Sequence, residues 1–211
     1  MNRLKRFCFV MVLLCLPLMA NAQDFVEGKD FRIIKGADNQ QSAQVNVREF
    51  FSYGCPGCFQ FEPVLKKWVA HKPKQVNFER IPVVFHPGWE VYARAYYVAK
   101  SLNVLDKVSD KLFAAIHTQN QVLDNEAAMA DFFVKQGISR ADFMSAYGFM
   151  PQMGVELEQG KKLMTAYSVY EIPTIVINGK YWTNPGMVNG DAKRFMAILD
   201  YLIAKESKAH G

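Results

Sequence analysis

Two cysteines separated by two residues, Cys55-Pro56-Gly57-Cys58, are the residues of this chain best placed to do chemistry. They follow an apolar, strand-like run from Val45 to Tyr53 that stops at Gly54, and a helical pattern begins immediately after. The spacing lets two thiols close a small disulfide ring. It also sets the first sulfur at a helix N-terminus, where unpaired N–H groups and the helix dipole favour negative charge. The thiolate is the reactive form of cysteine, so this position predicts a lowered pKa for Cys55. Cys58, one turn further in and shielded, suits the role of resolving thiol. A structural staple and half of a zinc site are the other uses of such a pair. Zinc needs about four ligands, yet His71, His86, His117 and His210 are scattered and there is no second cysteine pair. A staple across so short a loop also stabilises little. Redox chemistry is the favoured reading, with no metal and no separate cofactor expected.

The compartment follows from the first residues. Met1-Asn2-Arg3-Leu4-Lys5-Arg6 is positive, Phe7 to Met19 is apolar apart from one proline, and Ala20-Asn21-Ala22 offers small residues where a signal peptidase reads. Residues 1–22 therefore read as a secretory signal cleaved after Ala22, too short and wrongly flanked for a membrane span; an uncleaved anchor helix is the alternative. Removing it leaves 189 residues, enough for one domain with a substantial core, and loss of Arg3, Lys5 and Arg6 lowers the formal charge from +5 to +2. Nothing in that charge argues for nucleic acid. Cys8 and Cys15 leave with the signal, so the exported chain keeps only Cys55 and Cys58. Disulfides form in an oxidising compartment, and no further thiol is left to compete.

The remaining patterns must position the pair. Phe31 to Ile34 reads as a short strand, Lys35 to Ala43 as a loop, and Gln44 to Phe51 as the central strand, with Glu49 interrupting its apolar run. Pro56 suits a helix start, and Phe59, Phe61, Val64, Leu65, Trp68 and Val69 supply that helix with an apolar face, with a kink expected at Pro63. Val76 to Phe85 is a second strand, placed at an edge by Pro82. Helices are expected over 90–102, 104–118, 125–136, 139–148 and 153–167, with Asp124 and Ser139 as N-caps and Gly137 as a C-terminal stop. Ile175 to Ile177, an Asn178-Gly179 turn and Lys180 to Trp182 form a hairpin, and Asp191 caps a last helix. This order gives an α/β protein. Residues 23–88 and 168–211 form a small sheet domain, and 89–167 an inserted all-helical domain. Closing the sheet brings Ile172-Pro173-Thr174 beside the cysteines.

Glu49-Phe50-Phe51-Ser52, Cys55-Pro56-x-Cys58, Gln60-Phe61-Glu62, Ile172-Pro173-Thr174 and Asn178-Gly179-Lys180-Tyr181 together resemble the DsbA family of periplasmic thiol:disulfide oxidases. The likeness spans nearly the whole exported chain. It implies a thioredoxin fold with an inserted helical domain, Cys55 as attacking thiol, Cys58 as resolving thiol and Pro173 as a cis proline. It implies a monomer in the periplasm that gives its disulfide to unfolded or partly folded exported proteins with reduced cysteines, and a DsbB-like membrane protein that reoxidises it. Glu49 matches an acid of the family associated with the Cys58 proton; pairing of a partly exposed Glu49 with Arg80 is the plainer reading. Gly57 stands where the family usually has histidine, which predicts a higher Cys55 pKa and a more reducing pair than a histidine motif gives. Ile172, Pro173 and Thr174 are expected to hold an extended substrate strand. Tyr53, Phe59, His86, Pro87 and Trp89 are candidates for the rim of an apolar groove, with core packing the commoner use of each aromatic, and His86 is the histidine placed nearest the site. A disulfide isomerase or reductase, and a peptide-binding holdase with an incidental disulfide, are the competing functions.

Overall fold

The computed structural model describes residues 24–36, 44–148 and 150–209. The expected signal segment and its cleavage point lie outside them, as do His210 and most of the expected loop before the central strand. In chain order the elements are β1 (Arg32–Ile33), β2 (Val45–Phe51), α1 (Pro56–His71), β3 (Val76–Pro82), α2 (Glu90–Ser101), α3 (Leu105–His117), α4 (Glu126–Lys135), α5 (Arg140–Gly148), α6 (Met150–Ala166), β4 (Thr174–Ile177), β5 (Tyr181–Thr183) and α7 (Ala192–Ala209). The strands form one sheet in the order β1-β5-β4-β2-β3. β2 runs parallel to β3 and antiparallel to β4, so the strand leading to the cysteines is flanked on both sides. β3 is an edge strand, and Pro82, its last residue, takes the edge that the missing N–H requires.

Alternation along β2 decides what lies under the cysteines. Side chains two apart share a face of a strand. Val45 and Val47 pack with Phe61, Leu65 and Trp68 of α1 and with Phe195, Ile198 and Leu202 of α7. Phe50 points the other way, toward Ile81, Val176 and the α6 residues Leu163 and Met164. Glu49 is in phase with Val45 and Val47, so it faces α1. The buried positions of α1 are Cys58, Phe61, Glu62, Leu65 and Trp68, a stripe of helical period that carries Glu62 inward beside them. The helix continues through Pro63 as one element.

A third cluster joins the end of β2 to the helical block. Phe51, Tyr53, Cys55 and Cys58 pack in one core with Val91, Leu112, Phe113 and Phe133. The pair is thus walled by helices that follow β3 in sequence. Several turn signals hold as expected: Ser139 Oγ accepts the Asp142 N–H, Gly137 has φ +77°, Asn178 and Gly179 have φ +50° and +66°, and Asp191 accepts the Arg194 N–H. One cap differs. α4 starts at Glu126, so the capping residue is Asn125, whose Oδ1 accepts the Ala128 N–H at 3.0 Å, rather than Asp124.

Candidate active site

Cys55 is the N-cap of α1, and its Sγ accepts the Cys58 N–H at 3.2 Å. The turn before it is tied by Ser52, whose carbonyl accepts the Cys55 N–H at 3.1 Å and whose hydroxyl accepts the Gly54 N–H at 3.2 Å. A Cβ on Gly54 would fall 2.8 Å from both Trp89 Nε1 and Tyr92 Cε2, so only glycine lets the helical block close over this turn. The two thiols are unbonded. Cys55 is held down to about 7, from an ordinary 9.0, by a hydrogen bond from Cys58 and by backbone N–H groups of Cys58 and Gly57, against the opposing effect of burial. Cys58 is pushed far up, by burial first and then by giving its hydrogen bond and proximity to Cys55. One thiol is therefore built to ionise and the other to stay protonated. The sulfur expected to be open is only just so: Cys55 is 5% exposed against 1% for Cys58.

Beneath them Glu49 is 1% exposed, and Arg80, its register partner on β3, brings Nε within 2.6 Å of Glu49 Oε2. That oxygen has no aligned hydrogen bond. Arg80 also ion-pairs with Glu62 and lies over the Phe51 ring at 4.9 Å. Pairing with Arg80 is therefore present, but the acid is buried rather than partly exposed. Burial pushes Glu49 up to about 7, Arg80 pulls against it, and Glu62 and Cys55 add to the rise. A carboxyl that titrates near neutrality next to a thiol that resists ionising can take or give one proton.

On the other side the Ile172–Pro173 bond is cis, and Cys55 Sγ lies 3.7 Å from the Ile172 carbonyl, to which the protonated thiol donates. A Cβ at Gly57 would sit 3.5 Å from Pro173 Cδ and 3.9 Å from Cys55 Sγ, ordinary contact, so the motif has room there for a first side-chain carbon. Thr174 turns inward: it is buried, its hydroxyl donates to the Glu171 carbonyl at 2.7 Å, and its backbone pairs with Phe50. Of the three expected substrate contacts, Ile172 and Pro173 line the cavity of about 320 Å³ that opens beside Gly57, Gln60 and Val64, and Thr174 does not.

None of the rim candidates lines the cavity beside Gly57. Phe59 is half-buried, and Trp89 stacks on Phe85 and has the His86 ring 4.8 Å away. Tyr53 belongs to the core instead. Its ring packs 4.8 Å from Phe113, its hydroxyl bonds Ser109 at 2.8 Å, and burial pushes it up to about 12. Another histidine joins the site through the helical block: His117 Nε2 is 2.7 Å from the Tyr53 carbonyl and its ring stacks on Phe59 at 5.0 Å. His117, Ser52 and Glu62 were not singled out by spacing. Glu62 alone left a signal, an acid on the buried stripe of α1. Among the described residues no three His, Cys, Asp or Glu side chains are grouped as metal ligands.

The thioredoxin family model matches residues 39–200. The thiol:disulfide interchange protein DsbA of Burkholderia cepacia is 36% identical over 181 residues, which cover 83% of this chain and 83% of that one. The crystal structure of Pseudomonas aeruginosa DsbA superposes with a TM-score of 0.83 at 34% identity, covering 89% of this chain and 97% of that one. A Proteus mirabilis DsbA solved with a non-covalently bound peptide gives a TM-score of 0.72 at 26% identity, over 86% of this chain and 99% of that one.

A thiol whose pKa falls on folding stabilises the fold where it is ionised. The contribution is full above the ordinary value of 9.0 and is lost as pH drops through about 7. Two units correspond to about 2–3 kcal/mol. Urea unfolding of the reduced protein and of Cys55→Ser should show a stability gap that widens by that amount from acid to alkaline pH. The thiolate absorbance should rise with a midpoint near 7. A gap that does not change with pH would contradict this electrostatic account.

Proposed function

The chain belongs to the DsbA family, a thiol:disulfide oxidoreductase with a thioredoxin fold and an inserted helical domain, and we propose that it is a donor of disulfides to exported proteins. The observation that carries the donor role is the Cys58 N–H held at 3.2 Å from Cys55 Sγ at the start of α1. Whatever stabilises the Cys55 thiolate stabilises the reduced protein, and so makes the Cys55–Cys58 disulfide more oxidising. The direction of electron flow follows: from substrate thiols into this pair.

In the first step a substrate thiolate attacks Cys55 Sγ. The S–S bond breaks, its electron pair goes to Cys58 Sγ, and Cys58 takes a proton from Glu49. In the second, another thiolate of the substrate attacks the substrate sulfur of the mixed disulfide. A substrate disulfide forms and Cys55 leaves as the stabilised thiolate. The substrate loses two electrons and the pair gains them. Ile172 and Pro173 flank an extended substrate segment, and Pro173, lacking an N–H, does not compete for that segment's carbonyls. Pro56 starts α1 and Gly57 leaves the approach to Cys55 open. Thr174 serves from below, through the Glu171 carbonyl. A sulfur only 5% exposed favours mobile segments over folded surfaces, which suits unfolded or partly folded exported chains. The peptide bound by the Proteus mirabilis relative supports that choice.

Family membership supports a periplasmic reading, with exported substrates and reoxidation at the membrane. On this reading residues 1–22 are the export signal, residues 23–88 with 168–211 the catalytic domain and 89–167 the inserted wall, and a DsbB-like protein removes the electrons. Chain purified from the periplasm should begin at Gln23, and a mass that retains Met1 would refute the signal.

Equilibration with glutathione tests the donor role. The pair should stand reduced at ratios that leave a thioredoxin, at about −270 mV, joined; a pair that stays joined there would fit a reductase instead. Reduced substrate should be oxidised much faster than scrambled substrate is repaired. Glu49→Gln should remove a pH dependence centred near 7 from the rate of substrate attack. Rates that keep the same pH profile in the variant would leave Glu49 without the proton role.

A further inference from the structure

The cavity beside Gly57 is mostly apolar, and among the described residues that line it Glu171 is the one that carries charge. Its place is fixed from two sides. Glu171 Oε1 accepts a hydrogen bond from Asn184 Nδ2 at 2.7 Å, and its carbonyl accepts one from Thr174 at 2.7 Å. Asn184 is itself buried and oriented, since its Oδ1 accepts the Met187 N–H at 3.1 Å. Glu171 directly precedes the cis Ile172–Pro173 bond, whose Ile172 carbonyl lies 3.7 Å from Cys55 Sγ. An exposed but anchored carboxylate therefore lines the cavity that Gly57, Ile172 and Pro173 also line. Lys193 and Arg194 neighbour the lining residue Ala192, yet neither lines the cavity, and Arg194 is held by Asp30.

We propose that Glu171 is a specificity-determining residue, which favours cysteine-bearing segments that carry an arginine or lysine close to the reacting cysteine. The inference rests on the donor reading above and adds a substrate class to it. Three features combine: an apolar cavity that seats side chains flanking the cysteine, one negative group in its lining, and anchoring that lowers the entropy lost when a cation pairs with it. Arginine fits best, because its planar fork can take both carboxylate oxygens. An acidic residue at the same position meets like charge. Because the pair is partly solvated, the preference is modest, about two- to fivefold in rate, and weakens as salt screens it.

The test uses the oxidised protein and single-cysteine peptides identical except for arginine, alanine or glutamate, scanned over the positions flanking the cysteine. Each rate is divided by that peptide's rate with the uncharged 2-hydroxyethyl disulfide, which removes the effect of the flanking charge on the peptide's own thiol. At the best position the arginine-to-glutamate ratio should be about two to five at low salt. It should fall to about one in Glu171→Gln, which can still accept from Asn184, and invert in Glu171→Arg. A ratio near one in the native protein, or one unchanged in Glu171→Gln, overturns the proposal. Failure of even the alanine peptide to react would sink the donor reading instead, so the two failures are distinct.

Discussion

A sulfur held in a setting that favours its ionised form organises this molecule. Cys55 gains that property from its seat at the first turn of a 16-residue helix, where the Cys58 N–H points at it. The seat depends on the turn that delivers the chain to it. Ser52 ties that turn with two hydrogen bonds, and β2, paired on both sides, fixes where the turn begins. Trp89 and Tyr92, at the start of α2, then close over it so tightly that Gly54 has no room for a methyl group. The packing of the helical block and the acidity of Cys55 are thus one structural fact seen from two ends.

Below the cysteines the structure keeps three charges in its interior. Glu49, Arg80 and Glu62 form a buried acid–base–acid cluster, an arrangement that apolar side chains often match or exceed in stability. Its retention points to chemistry. One arginine shared between two acids leaves Glu49 under-compensated, and burial then lifts its titration to about 7. A single cation is shared between two carboxylates, and neither acid has it to itself.

Much of this was legible in the sequence because it is local. The Cys-x-x-Cys spacing, the apolar period of α1, the Asn178-Gly179 turn and the capping serine at 139 are all written within a few residues of where they act. What the sequence concealed depends on distant partners. His117 meets the Tyr53 carbonyl across 64 residues, and nothing around position 117 marks it. Tyr53 looked like a rim aromatic, yet α3 closes over it. The Thr174 hydroxyl turns back to the Glu171 carbonyl, a bond that its place after Pro173 does not announce. Exposure of Cys55 was overstated for the same reason, since the walls that narrow it come from another part of the chain.

The sealing of Cys58 has a consequence for traffic. Its sulfur sits in a core shared by α1, α2 and α3, with 1% of the residue exposed. Any thiol or disulfide that reaches the pair meets a single doorway at Cys55, so every covalent intermediate hangs from the same atom. A two-electron device with one entrance cannot hold two clients together. Its queue is served strictly in turn, and a client that lingers blocks the refuelling of the pair as surely as it blocks the next client.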